Sequence, residues 1–161
     1  SGDCYYSKDS LNIIKNYFEK NNVSFIFGAV LKKKVHHKYQ PNKMFWTFNF
    51  YPAHSSGFFV KKDVHDKIGE YNLKFPCSSD YDFFWRLIKE NKYRGISTKK
   101  NEIIGTFEPG GFSASYGVFK HIWEETLIRY HNGQNKIVIL TILILRLIRN
   151  FYKVFIRNSK T

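Results

Sequence analysis

Only two cysteines, Cys4 and Cys77, occur in the 161 residues. They lie far apart with no Cys-x-x-Cys spacing, which excludes a disulfide framework and argues against a zinc site. Free thiols in a reducing compartment are the expected state. Acidic side chains are also scarce: 13 Asp and Glu stand against 26 Lys and Arg, a formal net charge of +13. That balance suits phosphorylated substrates, anionic lipid or nucleic acid, and does not choose among them. No apolar run reaches the roughly 20 residues that a bilayer-spanning helix needs. No internal repeat, low-complexity tract or signal peptide is visible. No RNP, helix-turn-helix or zinc pattern accompanies the positive charge, so no nucleic acid partner is expected.

Aromatic residues are plentiful, at 19% with 16 Phe and 11 Tyr. They fall within apolar runs, as core residues do, and supply enough apolar surface to exclude disorder. Helix and strand patterns alternate, which predicts an α/β fold. Residues 8 to 20 read as a helix capped by Ser7, with Leu11, Ile14 and Phe18 as its apolar stripe. Residues 24 to 31 form one apolar run of strand length, and 35 to 40 a returning strand. Further strands are expected at 56 to 60, 93 to 97 and 102 to 107. Helices are expected from Asp63 to Ile68, stopped by Gly69, from Asp80 to about Asn91, and from about Tyr116 to His131. Asn132-Gly133 marks a break.

Residues 76 to 88 carry the most chemistry. Asp80 and Asp82 open a short amphipathic helix whose Phe83, Phe84, Leu87 and Ile88 share one face. Ser79 or Asp80 can cap this helix, and Asp82 can complement its dipole. An acid at a helix mouth can equally act on a substrate. Neighbours two apart point to different faces, so both carboxylates do not reach one hydroxyl. Arg86 stands four residues after Asp82 and is its natural ion-pair partner, which would make Asp82 structural.

Four segments stand in order along the chain: Ser1-Gly-Asp3, then His54-Ser-Ser-Gly-Phe-Phe-Val with Lys-Ile-Gly-Glu-Tyr-Asn72 following it, then Ser79-Asp-Tyr-Asp82, and last Phe107-Glu-Pro-Gly-Gly-Phe-Ser113. In this order and spacing the chain resembles the second half of a family-2 glycosyltransferase of the GT-A fold, of the bacterial polysaccharide type that uses nucleotide-sugar donors. The resemblance covers roughly residues 1 to 130. It implies the C-terminal part of a Rossmann-like nucleotide-diphospho-sugar transferase domain. The domain division expected is 1–133 as the metal- and acceptor-binding half and 134–161 as a basic amphipathic tail helix. The base- and ribose-binding half would precede residue 1, where no initiator Met stands. The chain is therefore expected to be a C-terminal fragment, inactive by itself.

The resemblance also implies roles. Asp3 matches the last acid of an Asp-x-Asp-like motif and would hold a divalent cation, Mn2+ or Mg2+, although Ser1 and Gly2 occupy the motif's other places. Asp80 would be the general base of an inverting transfer to a glycan or lipid-linked acceptor. Asp82 is the runner-up. His54 lies in a region that lines the donor-acceptor cleft in such enzymes; a lone histidine is also commonly structural. Glu108, Gly110, Gly111 and Ser113 would form a substrate loop, the glycines permitting close approach, or simply a turn. His36-His37 reads as a surface strand feature.

In the tail, Arg146, Arg149, Asn150, Lys153 and Arg157 fall at i, i+3, i+4, i+7 and i+11, one basic face under a broad apolar wrap. This is the pattern of a helix lying in a membrane interface, with Arg146, Arg149, Lys153 and Arg157 as contacts to an anionic surface. A helix packed on the domain is the plainer reading. The expected location is cytoplasmic, peripheral at the inner face of a membrane. The alternative function is a non-catalytic module that binds membranes or polyanions.

Overall fold

The computed structural model describes residues 4–46, 51–108 and 115–158. It is a mixed α/β structure. In chain order the strands are β1 (Cys4–Tyr5), β2 (Phe25–Phe27), β3 (Ala29–Leu31), β4 (Val35–His36), β5 (Phe58–Val60), β6 (Gly95–Ser97) and β7 (Ile103–Thr106). The helices are α1 (Ser10–Lys20), α2 (Lys43–Trp46), α3 (Lys62–Ile68), α4 (Ser79–Trp85), α5 (Val118–His131) and α6 (Lys136–Asn158). A π-helical turn, Arg86–Glu90, extends α4, and a 3-10 turn, Ser55–Gly57, precedes β5.

The apolar run at 24 to 31 is not one strand. It bends at Gly28 and feeds two small mixed sheets, ordered β1-β7-β3-β4 and β5-β2-β6. β2 pairs antiparallel with β5 and parallel with β6; β3 pairs antiparallel with β4 and parallel with β7. Thr98 bridges the break: its Oγ1 accepts from the Ala29 N–H at 2.8 Å, and its own N–H donates to the Phe27 carbonyl at 3.1 Å. The Gly28 N–H donates to the Gly57 carbonyl at 2.7 Å. A Cβ on Gly57 would stand 2.4 Å from the Gly28 carbonyl oxygen, so only glycine permits this crossing. The crossing pins the loop of His54, Ser55 and Ser56 against the strands.

Side chains alternate along β2, as a strand requires. Phe25 and Phe27 enter an aromatic core with Phe58, Phe83, Phe84 and Trp85, while Ile26 joins Ile14, Val23 and Ile104 under α1. β2 therefore lies between α1 and α4. Phe83, Phe84, Leu87 and Ile88 are all buried, as their spacing predicts. Such edge-on aromatic packing, for example Phe58 against Phe84 at 4.7 Å, suits ring quadrupoles.

Several boundaries shift. α1 starts at Ser10, and Ser10 Oγ accepts from the Ser7 N–H, the reverse of the expected cap. The returning strand is only Val35–His36. α3 ends at Gly69 with φ 83°, the left-handed stop the sequence predicts. Gly133, with φ 69°, likewise separates α5 from α6. No helix among the described residues is long and apolar enough to cross a membrane.

Candidate functional site

Asp80 sits in the first turn of α4 and lines a cavity of about 220 Å3 with Tyr51, Ala53, His54, Ser55, Cys77 and Phe107. The Tyr51 hydroxyl donates to Asp80 Oδ1 at 2.7 Å, and the Tyr81 N–H donates to the same oxygen at 2.8 Å. Ser55 supplies a further side-chain hydrogen bond. These contacts fix the carboxyl's orientation. Burial raises the Asp80 pKa above the ordinary value, and the bonds from Tyr51, Ser55 and the backbone only partly oppose that. Burial, then Asp80 itself, holds the Tyr51 phenol well above its usual range, so Tyr51 remains a donor. The expected helix cap is not what Asp80 provides: Ser78 occupies the cap position and makes no side-chain cap bond.

Asp82 has a different task. Its Oδ2 accepts from Arg86 Nε at 3.0 Å, and its Oδ1 from Asn132 Nδ2 at 3.1 Å. Arg86 reaches on to the Ile68 and Glu70 carbonyls at 2.6 and 2.8 Å and lies over the Phe83 ring. Asp82 thus ties α4 to the end of α3 and to the α5–α6 turn. It is 4% exposed and does not line the Asp80 cavity.

His54 borders the cavity. Its Nδ1 accepts from the Ser56 N–H at 3.4 Å, and its ring meets Phe107 edge-on at 4.8 Å. Through His54, Tyr51 and Ala53 the cavity adjoins a larger groove of about 520 Å3, lined also by Lys32, Val35, His36, His37, Lys38, Gln40, Lys43 and Pro52. Lys32 Nζ stands 4.2 Å above the Phe107 ring. Burial and then the charges of Lys34, Lys32 and Lys43 lower the His36 pKa.

Asp3, Gly110, Gly111 and Ser113 lie outside the described residues. Glu108 is exposed, next to the Phe107 that walls the cavity. Among the described residues no three His, Cys, Asp or Glu side chains are grouped so as to hold a metal ion. Cys77 forms no disulfide among the described residues.

Arg146 does not face outward: it turns into the fold and pairs with Glu125 of α5, with side-chain exposures of 12% and 1%. Glu125 also meets His121 Nε2 at 3.2 Å. Burial lowers the Arg146 pKa to about 10, so the guanidinium stays charged at neutral pH. What α6 turns outward is largely apolar: Ile137, Leu140, Ile144, Leu145, Ile148, Phe151 and Tyr152 are exposed, and Phe151 contacts Phe119 of α5 at 5.2 Å. Arg149 is exposed, while the side chains of Lys153 and Arg157 fall outside the described residues.

Sequence reasoning missed Tyr51 and Ser55, which orient Asp80 from far upstream, and Glu125, which claims Arg146. It also set aside the groove that His36 and His37 share with lysines. The density of Lys32, Lys33, Lys34, Lys38 and Lys43 was the available signal for that groove. Compared with known proteins, the chain matches no family model, no curated protein and no solved structure.

Proposed function

We propose that the chain carries the acceptor side of an inverting glycosyltransferase, with Asp80 as general base. One observation supports this most: a carboxylate of raised pKa, oriented by Tyr51, Ser55 and the Tyr81 N–H, opens into a cavity beside a positively charged groove. The two small sheets with their flanking helices are read as the C-terminal half of a GT-A domain. The acceptor is a glycan or lipid-linked hydroxyl, and the donor a nucleotide-diphosphate sugar.

The chemistry follows from the residues. The acceptor hydroxyl enters the cavity and donates its hydrogen bond to Asp80. As its oxygen bonds to the anomeric carbon, the bond from that carbon to the diphosphate oxygen breaks, with inversion. The electron pair leaves with the nucleoside diphosphate, and the hydroxyl proton passes to Asp80. A carboxylate whose pKa is raised by burial is a stronger base than one in water, which suits this transfer. A Mn2+ or Mg2+ ion at Asp3 would offset charge on the leaving diphosphate.

The test is sugar transfer by the complete gene product from a panel of nucleotide sugars, wild type against Asp80→Asn. Asparagine keeps the shape and an acceptor oxygen for Tyr51. Turnover is expected to fall by roughly two to four orders of magnitude, the range of general-base contributions, with little change in donor affinity. Turnover unaffected by Asp80→Asn would remove the reading.

A second reading rests on a separate observation, the exposed apolar face of α6. A face of this kind on a strongly basic chain suits an anionic membrane surface. It is compatible with the transferase reading, as the means of holding the enzyme near a lipid-linked acceptor. Alone, without turnover, it would make the chain a membrane- or polyanion-binding module.

A further inference from the structure

Another concavity, of about 410 Å3, shares no residue with the Asp80 cavity or with the groove beside it. It lies between the last turns of α1, through Asn16, Tyr17 and Lys20, and the turn joining β6 to β7, through Lys99 and Glu102. α1 packs across β2 from α4, the helix that carries Asp80. The volume is that of a small-molecule site. Its walls are held by the fold itself. The Tyr17 hydroxyl donates to Glu102 Oε2, and the Lys99 N–H donates to the same oxygen at 2.9 Å. Asn21 Nδ2 donates to the Tyr17 carbonyl at 2.9 Å and closes the helix end. Burial pushes the Glu102 pKa up, but the Tyr17 and Lys99 bonds outweigh it and leave the pKa lowered, so the carboxylate is ionised at neutral pH.

The bonding capacity left over is mixed. Glu102 Oε1 accepts no hydrogen bond from the described residues, and the Asn16 amide and the Lys20 and Lys99 ammonium groups donate none to them. One carboxylate stands with two ammonium groups, so the lining is close to neutral on a chain of net charge +13. A polyanion gains little beside Glu102 and the carbonyl end of α1, and a polycation meets two lysines. A neutral molecule with many hydroxyls matches this lining. Each hydroxyl donates to a carboxylate or amide oxygen and accepts from an amide or ammonium group. Ile13 and the Tyr17 ring add an apolar patch for the C–H face of a pyranose. We propose that this pocket binds an uncharged sugar unit, as a docking point for a glycan apart from the Asp80 cavity. Sugar binding here stands without any transferase activity; only its use in holding an acceptor chain rests on that reading.

The experiment titrates the isotope-labelled chain with maltose, cellobiose and chitobiose, each to about 50 mM, and follows the Lys99 and Asn21 backbone amides by NMR. At least one sugar is expected to shift both amides saturably, with a millimolar Kd. Asn16→Ala, at an exposed helix position that alanine suits, and Glu102→Gln are each expected to weaken that binding about fivefold. Lys74→Ala, exposed on the segment before α4 and outside the pocket, is the control and is expected to change nothing. Free glutamate and free lysine are titrated as zwitterionic competitors for the same groups. No shift with any of the three sugars, equal weakening by Lys74→Ala, or tighter binding of either amino acid than of every sugar overturns the site. Sugar binding that persists in Asp80→Asn supports the site whatever happens to turnover. Sugar transfer by a protein whose Lys99 and Asn21 amides do not respond would remove this site and leave the transferase reading standing.

Discussion

Replacing Arg146 with methionine strands the Glu125 carboxylate inside the fold. In the wild type, Glu125 has 1% of its side chain exposed and its charge is met by Arg146. Methionine has a similar stem but no charge, so packing on α5 is largely kept while the counter-ion is lost. Leaving one member of a buried pair uncompensated costs roughly 3–5 kcal/mol. In a domain of this length about 1 kcal/mol moves the melting temperature by roughly 2–4 °C, so a fall on the order of 10 °C is expected. His121 makes the loss pH-dependent. In the wild type, burial and then the Arg146 charge lower its pKa. Without Arg146 that repulsion is gone while burial remains, so the His121 pKa is less depressed. A depressed histidine pKa costs stability as pH falls through the unfolded value, and the variant carries less of that cost, so it suffers less at pH 5.5 than at pH 8. Adding Glu125→Leu removes the stranded charge and should recover most of the loss. Thermal and urea unfolding by circular dichroism measures all of this. An Arg146→Met protein that melts within about 1 °C of wild type would show that α6 is not held by this pair.

Asp80→Asn should raise stability at neutral pH while removing turnover. A carboxyl whose folded pKa is raised gives stability present at low pH and lost as pH rises through that pKa, so the gain should vanish in acid; melting curves from pH 3 to 8 check it. Asp82→Asn should do the opposite, costing roughly 1–3 kcal/mol because Arg86 loses its counter-charge and only one acceptor oxygen is left for Arg86 and Asn132, while residual turnover per folded molecule stays near wild type. Tyr51→Phe removes the bond that lowers the Asp80 pKa; the acidic limb of the rate profile should move to higher pH, and an unmoved limb would deny the contact any role. Ile148→Asp should weaken binding to anionic vesicles by at least tenfold without changing the melting temperature, because Ile148 is 61% exposed.

Local features were legible in the sequence. The Asp82–Arg86 pair is a one-turn spacing, and the apolar positions of α4 are a helical stripe; both need only helix geometry to be read. Gly69 and Gly133 ended helices where expected, because the left-handed region admits glycine most readily. Features set by distant partners were not legible. Nothing near Asp80 shows that Tyr51 and Ser55 will orient it. The run from 24 to 31 reads as one strand, because burial pattern alone does not show that Gly28 turns the chain from one sheet into another. The tail's period grouped Arg146 with Arg149, Asn150, Lys153 and Arg157, but Arg146 turns inward while Arg149 is exposed, and a period does not say which face docks. Apolar residues cover so much of α6 that the choice fell to one buried acid on α5.

That choice links the two ends of the candidate site. Arg146 contributes to the field at Tyr81, and Arg129 of α5 lies 5.6 Å from the Tyr81 ring. The Tyr81 hydroxyl donates to the Met44 carbonyl at 3.1 Å, and its N–H holds Asp80. One residue therefore touches the seat of the tail helices, the α2 segment beside the groove, and the carboxylate. The inner face of α6 carries the charge that fixes the helix, and its outer face carries the apolar surface. Changes inside should alter folding and the pKa of Asp80; changes outside should alter surface binding alone. The reverse pattern, with Ile148→Asp unfolding the chain and Arg146→Met only weakening vesicle binding, would mean that α6 is seated the other way round.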